Sequence, residues 1–258
     1  MDQVDAVIIG AGAAGLFCGA RAAQRGQSVL VLDHSAKPGE KIRISGGGRC
    51  NFTNLETDPK CFLSENPHFA KSALARYSPW DFCTLMAEHG LSWHEKTLGQ
   101  LFCDQKSGAV IQMLLTELER PGGRLSLNTS VQAIEPINDS FVVRTSNGPI
   151  QTNRVVIATG GLSIPKIGAT GFAYDIAKQF GHEVLPTRPA LVPLTFTDDY
   201  KEAFSSLSGV ALPVEARAEA GPSFVENMLF THRGLSGPSV LQISSYWHPS
   251  ETIKFDLM

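Results

Sequence analysis

The chain has 258 residues, enough for one large domain or for one domain plus part of another. Its 22 Lys and Arg against 25 Asp and Glu give a formal net charge of −3, so no basic field indicates nucleic acid or anionic membrane. No apolar run approaches the length of a membrane span, and the N-terminus carries acids where a secretory signal needs cations. We therefore expect a cytoplasmic protein with a small-molecule substrate, no nucleic-acid partner and no membrane contact; the oligomeric state stays open.

The cysteines form neither a C-x-x-C pair nor a regular framework, which fits free thiols in a reducing compartment. They are Cys18, Cys50, Cys61, Cys83 and Cys103. The sequence predicts no metal site.

A strand, a glycine turn, a helix and a second strand open the chain. Residues 4–9 are apolar and rich in β-branched side chains, as in a strand buried on both faces. The turn Gly10-Ala-Gly-Ala-Ala-Gly15 follows, then a helix-forming stretch ending at Gly26, and then the apolar residues 28–32. This order, closed by Asp33, is the dinucleotide-binding fingerprint in its proper context.

Each part of the fingerprint has a physical task. Gly10 permits a tight turn, Gly12 lets the backbone approach a pyrophosphate, and Gly15 lets the helix pack on the strand. The helix N-terminus offers free N–H groups to phosphates, and Asp33 can accept hydrogen bonds from ribose hydroxyls. The fingerprint leaves FAD and NAD open, whereas the acid at Asp33 disfavours the 2′-phosphate of NADP. The alternative is a glycine-rich turn in an ordinary α/β protein.

A second glycine-rich loop, HSAKPGEKIRISGGGRCNFTN at residues 34–54, combines three consecutive glycines with cations. Such a loop can run its backbone along a flat ligand and place Lys41, Arg43 and Arg49 near phosphates. Further on, the buried strand of residues 154–161 ends in small residues, as expected where a strand end meets a ligand.

Together these motifs resemble the BaiN/RdsA-like family of FAD-dependent oxidoreductases, flavoproteins with a two-dinucleotide-binding fold. The resemblance continues through WHEKTLGQLFCD (93–104), VVIATGGLSIP (155–165) and LFTHRGLSGPSVLQISS (229–245). It implies that the glycines of the triplet make room for FAD and that Ser45, Arg49, Cys50 and Asn51 line the cofactor. Because only one cysteine lies in this part of the chain, a dithiol mechanism is not expected.

The rest of the chain completes an α/β prediction. Helical periodicity in residues 69–89 and 108–119 predicts a helical cap at about 60–120. Residues 124–134, 141–145 and 150–157 are each predicted as one short strand, and together, at about 124–157, they resemble the β-meander of these flavoproteins. In that pattern the backbone of Val131 holds the adenine. Prolines before residue 194 mark the end of the Rossmann-like FAD-binding domain (1–193). Residues 194–258 read as the first part of an inserted β-rich domain, left incomplete, which suggests a C-terminally truncated family member.

The candidate cofactor-binding residues come from the dinucleotide-binding fingerprint, the second glycine-rich loop, Val131 of the predicted meander and the end of the strand at residues 154–161. Its members are Gly10, Gly12, Ala13, Ala14, Gly15, Asp33, His34, Lys41, Ser45, Gly46, Gly47, Arg49, Cys50, Asn51, Val131, Thr159, Gly160 and Gly161.

The leading functional prediction is hydride transfer through bound FAD from a reductant, with NAD(P)H as the candidate donor, to a small organic substrate. By resemblance, reduction of a conjugated C=C bond is one such activity. The alternatives are a flavin-binding protein without turnover and an FAD-dependent nucleic-acid-modifying enzyme. No catalytic acid or base is assigned: His94 could meet a substrate or end a packed element, and His232 and Arg233 more readily stabilise a turn.

Overall fold

The computed structural model describes residues 2–258, whose contacts divide the chain into two compact units. The first ends at Val184, and the second covers Leu185–Met258. This division falls just before the proline-rich stretch where the sequence predicts a boundary near residue 193.

The first unit is the Rossmann-like domain, and the predicted α/β class is confirmed. Its strands are β1 (Asp2–Ile9), β2 (Val29–Leu32), β3 (Asn51–Asn54), β4 (Trp93–Glu95), β5 (Gln100–Cys103), β6 (Arg124–Ser126), β7 (Val131–Ile137), β8 (Ser140–Thr145) and β9 (Gly148–Ile157). Its helices are α1 (Ala13–Ala23), α2 (Glu40–Ile44), α3 (Lys71–Arg76), α4 (Pro79–Glu88), α5 (Lys106–Glu119) and α6 (Phe172–Gln179). Within residues 2–258, no helix is both long and apolar enough to cross a membrane.

A six-stranded sheet with the order β6-β2-β1-β9-β8-β7 forms the centre of this unit. The strands β6, β2, β1 and β9 run parallel, whereas β9, β8 and β7 form an antiparallel meander. The alternating side chains of β1 fill two cores, because Ile8 packs with Leu16 of α1 and Leu118 of α5, while Val7 packs with Val143 and Ile176 on the other face. Burial on both faces explains the continuous apolar run of this strand.

Two elements differ from the sequence-based expectation in their connections. The segment predicted as one strand from residue 124 to 134 is two strands, since β6 pairs with β2 and β7 pairs with β8. Within the predicted cap region, α5 follows β5 and directly precedes β6, and it packs with α1 on one face of the parallel sheet. A separate antiparallel sheet with the order β3-β5-β4 follows the glycine triplet.

The second unit is β-rich. It contains β10 (Leu194–Thr195), α7 (Asp198–Phe204), β11 (Ala211–Arg217), β12 (Phe224–Thr231), β13 (Gly234–Ser236), α8 (Pro238–Ile243) and β14 (Lys254–Leu257). The strands form one antiparallel sheet with the order β10-β13-β12-β11-β14. Val240 of α8 packs with Val214, Met228 and Phe230 of the sheet to form the core of this unit.

Glu117 of α5 connects the ends of two other helices. Its carboxylate accepts hydrogen bonds from Gln24, the C-cap of α1, at 2.6 Å and from His89, the C-cap of α4, at 2.9 Å. Burial by itself raises the pKa of Glu117, but the hydrogen bonds from His89 and Gln24 outweigh it and hold the pKa below its usual range. The ionised carboxylate therefore stabilises the folded state.

We expect Glu117→Gln to lower the free energy of unfolding by about 1–3 kcal/mol near neutral pH, because it removes a charged acceptor from two hydrogen bonds. Since the folded-state pKa is lowered, this stabilisation is present above the unfolded pKa and is lost as pH falls through the folded value. Denaturant unfolding at several pH values measures the difference. Glu119→Gln, on the exposed face of the same helix, is the control; a difference that stays constant into acid would contradict the role of the Glu117 charge.

Candidate functional site

A cavity of about 650 Å³ opens at the carboxyl ends of three parallel strands of the first unit. Ile9, Leu32 and Ile157, the last residues of β1, β2 and β9, all line it. Open α/β sheets bind ligands at this edge, beside the loops that leave the strands. The geometry therefore assigns the principal candidate site to this cavity.

The three glycines of the fingerprint meet three different requirements. A Cβ on Gly10, whose φ is +110°, would overlap the carbonyl oxygen of Ala158 just after β9. A Cβ on Gly15 would overlap the carbonyl oxygen of Gly10, so this glycine lets α1 begin against the turn. Gly12 has ordinary extended backbone angles and no atom within 4 Å of an added Cβ. Because Gly12 lines the cavity, a side chain there would occupy ligand space rather than disturb the fold.

The N-terminus of α1 faces the same cavity. Gly12 is its N-cap and supplies no side-chain hydrogen bond, while Ala13 and Ala14 are exposed and line the cavity. The first N–H groups of this eleven-residue helix are therefore available to an anionic ligand, and the helix dipole favours negative charge there.

Asp33 lies at the end of β2 and has a structural task that the fingerprint does not reveal. Its Oδ2 accepts a hydrogen bond from the N–H of Ala11 at 2.7 Å, and its Oδ1 accepts one from the N–H of Ser35 at 2.8 Å. The carboxylate thus fixes the glycine turn as well as the loop after β2. Each oxygen keeps a further lone pair, so Asp33 can still accept from a ligand hydroxyl in the cavity that it lines.

Further predicted residues lie around the same cavity. His34 is about half exposed and lines it, and Lys41 of α2 donates a hydrogen bond to Ser163 at 2.6 Å while also lining it. Val131, at the start of β7, and Gly160, after β9, also line the cavity. Gly161 does not line the cavity; an added Cβ there would lie 2.9 Å from the hydroxyl oxygen of Tyr174.

The side-chain hydroxyl of Thr159 is an unsatisfied hydrogen-bonding group in the cavity wall. Thr159 lines the cavity, yet its Oγ1 is buried and has no hydrogen-bond partner among the described residues. A buried hydroxyl without a partner costs free energy unless a ligand or water satisfies it. Together with the free helix N-terminus and the Asp33 carboxylate, it fits a phosphate-containing, hydroxyl-rich dinucleotide such as FAD.

The glycine triplet, by contrast, does not line this cavity. Gly46 has a φ of +56°, and an added Cβ would lie 2.6 Å from Cε1 of Phe102 and 2.9 Å from the amide nitrogen of Asn51. The local structure therefore explains the glycine at position 46, which forms a left-handed turn packed against β5. The predicted cofactor-binding residues in and around the triplet do not line the cavity. They are Ser45, Gly46, Gly47, Arg49, Cys50 and Asn51. Their contact with a cofactor stays a prediction.

Cys50 is buried and adopts a left-handed φ of +57°. Its carbonyl accepts a hydrogen bond from the N–H of Cys103 at 3.2 Å, so the fold brings a second cysteine beside it, more than fifty positions along the chain. Both are free thiols, and burial raises the pKa of each. Raised pKa values lower the reactive thiolate fraction of both cysteines, and the absence of a dithiol mechanism stays a prediction.

Sequence reasoning missed part of the cavity wall. Thr129 and Ser130 line it but lie in the interruption between β6 and β7, which the sequence pattern presents as one strand. Thr170 and Phe172 line it at the start of α6, after a loop with positive-φ Gly168. That second glycine loop before a helix was the signal that could have identified them.

The histidines with open roles lie outside the cavity. His94 of β4 bonds through Nδ1 to Oδ1 of Asp104 at 2.7 Å. His232 and Arg233 lie in the turn between β12 and β13, where Thr231 Oγ1 accepts from the N–H of Arg233 at 3.3 Å. The prediction that His232 and Arg233 stabilise a turn agrees with their position between β12 and β13.

A glycine turn and helix N-terminus at the carboxyl edge of a parallel sheet are the features by which Rossmann-fold oxidoreductases hold a dinucleotide. Residues 4–244 match the family described as "HI0933-like protein Rossmann domain", and the chain belongs to this family of FAD-dependent oxidoreductases. The resemblance inferred from the sequence motifs is therefore confirmed.

Three curated relatives are similar to the chain. The "Ribosomal RNA dihydrouridine synthase" of Escherichia coli is 52% identical over 258 residues, 100% of this chain and 64% of the relative. The protein of the same description from Haemophilus influenzae is 52% identical over 256 residues, 98% of this chain and 64% of the relative. The "3-dehydro-bile acid delta(4,6)-reductase" of Clostridium scindens is 30% identical, over 93% of this chain and 59% of the relative. The chain thus spans less than two thirds of their lengths.

These relatives correct one sequence-based prediction. The expectation of no nucleic-acid partner is wrong, because the two relatives at 52% identity are named for a reaction on ribosomal RNA. The inference failed because a net charge of −3 averages over the whole surface, whereas an RNA contact depends on the charge and shape of one part of it.

We expect Gly12→Val to abolish FAD binding and leave the fold intact, because its side chain would enter the cavity where no protein atom blocks it. Flavin content after gel filtration and the thermal unfolding midpoint check both parts. Gly108→Val is the matched control, since Gly108 also has no atom within 4 Å of an added Cβ but lies in α5, outside the cavity. Normal flavin content in Gly12→Val would refute the assignment of the cavity.

Proposed function

We propose that this protein takes part in FAD-dependent reduction of uridine to dihydrouridine in ribosomal RNA, with NAD(P)H as the electron donor. The observation that carries this proposal is the 52% identity, over all or nearly all of the chain, to two relatives named for that reaction. The earlier leading prediction of a small organic substrate has weaker support, since the bile-acid reductase is 30% identical.

The chemistry connects both kinds of relative. The C5=C6 bond of uridine is conjugated to a carbonyl group, as is the unsaturation of a 3-oxo bile acid named for delta(4,6) reduction. When bound, the flavin supplies two-electron hydride chemistry suited to such bonds. The protein's task is to hold the cofactor, position the polarised double bond and supply a proton.

The cavity residues provide the proposed cofactor contacts. The N–H groups at Ala13 and Ala14 receive the pyrophosphate, Asp33 accepts from ribose hydroxyls, and the buried Thr159 hydroxyl gains the partner that it lacks. Lys41 places a cation at the same wall. The remaining proposed contacts are Gly10, Gly12, Gly15, His34, Val131, Gly160 and Gly161, with Ser45, Gly46, Gly47, Arg49, Cys50 and Asn51 in the adjoining loop.

RNA binding is compatible with the charges of the first unit. Among the described residues, no carboxylate lies within ion-pair distance of Lys96, an exposed cation outside the proposed cofactor contacts. Such cations can neutralise phosphates without competition from an internal partner, which a count of total charge does not show.

The test uses the purified protein loaded with FAD, an unmodified ribosomal RNA transcript, and NADH or NADPH under anaerobic conditions. We expect dihydrouridine in the digested RNA and bleaching of the flavin by one of the two donors. Gly12→Val is the inactive control, and a 3-oxo-Δ4 bile acid is the competing acceptor. Reduction of the bile acid without dihydrouridine would refute the RNA substrate; a flavin that dithionite reduces, but that neither NADH nor NADPH bleaches and neither acceptor reoxidises, would indicate a binding protein without turnover.

A further inference from the structure

The pair His94–Asp104 lies on the three-stranded sheet that follows the glycine triplet. His94 is in β4 and is directly opposite Phe102 of β5, and Asp104 follows β5 with its N–H bonded to the carbonyl of Ser92 at 3.0 Å. This antiparallel register brings the two side chains together, with Nδ1 of His94 2.7 Å from Oδ1 of Asp104. The pair is therefore fixed by backbone pairing and not by chance contact of two surface side chains.

The hydrogen bond determines which imidazole nitrogen is available. Hydrogen bonds from His94 and Ser92 lower the pKa of Asp104, so its carboxylate is ionised and only accepts. Nδ1 must then carry the proton that bonds to Asp104. About half of the His94 side chain is exposed, and Nε2 has no hydrogen-bond partner among residues 2–258. Nε2 is thus the nitrogen that can exchange a proton with a bound molecule.

Phe102 fixes the plane of the ring and connects it to the cofactor region. The rings of His94 and Phe102 are stacked, with centroids 6.0 Å apart and an interplanar angle of 17°. Phe102 also packs against the turn at Gly46, where an added Cβ would lie 2.6 Å from its Cε1, and that turn follows α2, whose Lys41 and Ile42 line the dinucleotide cavity. Phe102 thus contacts both the imidazole and the loop that leaves the cavity wall.

Two charged groups lie near the imidazole. Asp104 faces it from the segment after β5, and Lys96, two residues after His94, lies over the Phe102 ring with its Nζ 5.4 Å from the ring centroid. The ammonium can attract a phosphate, while the Asp104 carboxylate orients the imidazole through its hydrogen bond to Nδ1. A cation, an oriented imidazole and an aromatic ring together suit a nucleotide whose base accepts a proton.

We propose that His94 is the proton donor in the reduction of uridine, with Asp104 as its positioning residue; this role rests on the proposed function. In the imidazolium form, Nε2 of His94 would give its proton to C5 as the C5=C6 π bond of the base breaks, and C6 would take the hydride that bound, reduced FAD supplies. The ring would be left neutral with its proton on Nδ1, the FAD would be left oxidised, and a proton from solvent would restore the imidazolium. The reducing equivalents come from NAD(P)H, or from dithionite in the test.

The decisive variant is His94→Gln, which keeps a polar side chain and removes the transferable proton. The flavin is reduced with dithionite and mixed anaerobically with unmodified ribosomal RNA transcript, and its reoxidation is followed by absorbance. General-acid catalysis contributes roughly 10²–10⁴-fold, so we expect the rate to fall by at least about 100-fold. Flavin content and RNA affinity should be unchanged. His89→Gln is the matched control, because His89 also bonds to a carboxylate at 2.9 Å but joins two helices.

Two readouts separate proton transfer from a purely structural role. In D₂O the wild type should place deuterium on one face of C5, whereas His94→Gln, protonated by solvent, should give both faces. In the flavin-free protein, imidazole ¹⁵N chemical shifts should show Nδ1 protonated in neutral His94, and Asp104→Asn should abolish that tautomer preference.

A wild-type reoxidation rate with single-face deuterium in His94→Gln would overturn the role of His94 while leaving the proposed function in place. If the wild-type protein, with reducible flavin, yields no dihydrouridine, the proposed function is wrong and the proton-donor role falls with it. An unchanged tautomer in Asp104→Asn would remove Asp104 from the proposal.

Discussion

The close approach of three backbone segments at the carboxyl edge of the parallel sheet governs the rest of the first unit. The turn at Gly10 lies against Ala158 after β9, and α1 begins against the carbonyl of the same glycine. Neither contact leaves room for a Cβ. Asp33 holds the turn from the β2 side through the N–H of Ala11. The cavity therefore exists because the ends of β1, β2 and β9 are joined by close main-chain contacts and by the Asp33 carboxylate.

Much of this arrangement could be predicted because it is encoded locally. The β-α-β order, the spacing of the glycines and the acid at Asp33 all fall within one short segment, and the structure places them together. The glycine triplet shows the limit of such reasoning. Gly46 needs its left-handed backbone to pack on Phe102, a residue of another strand, and sequence spacing does not reveal that partner. Thr129 was missed for a similar reason, since the sequence of residues 124–134 does not show that the two strands β6 and β7 pair with different neighbours.

Net charge was a poor guide to the partner. The formal charge of −3 sums over a surface in which several cations have carboxylate partners, such as Arg144 with Glu135 and Arg124 with Asp2, while others among residues 2–258, such as Lys96, have none within ion-pair distance. The phosphates of a polyanion interact with the cations that have no carboxylate partner. Pairing of charges is set by tertiary structure, so composition alone could not separate the two groups.

The pairing of β1 with β9 has a consequence for biosynthesis. β1 leaves the ribosome well before its parallel partner β9, in which Ile150 pairs with Asp2. Until that distant strand emerges, the apolar strand Asp2–Ile9 has one edge without its native hydrogen-bond partners. Non-local parallel pairing forms slowly and exposes such edges to other chains. Nascent polypeptides that stall before β9 should therefore depend on chaperones to avoid aggregation through β1.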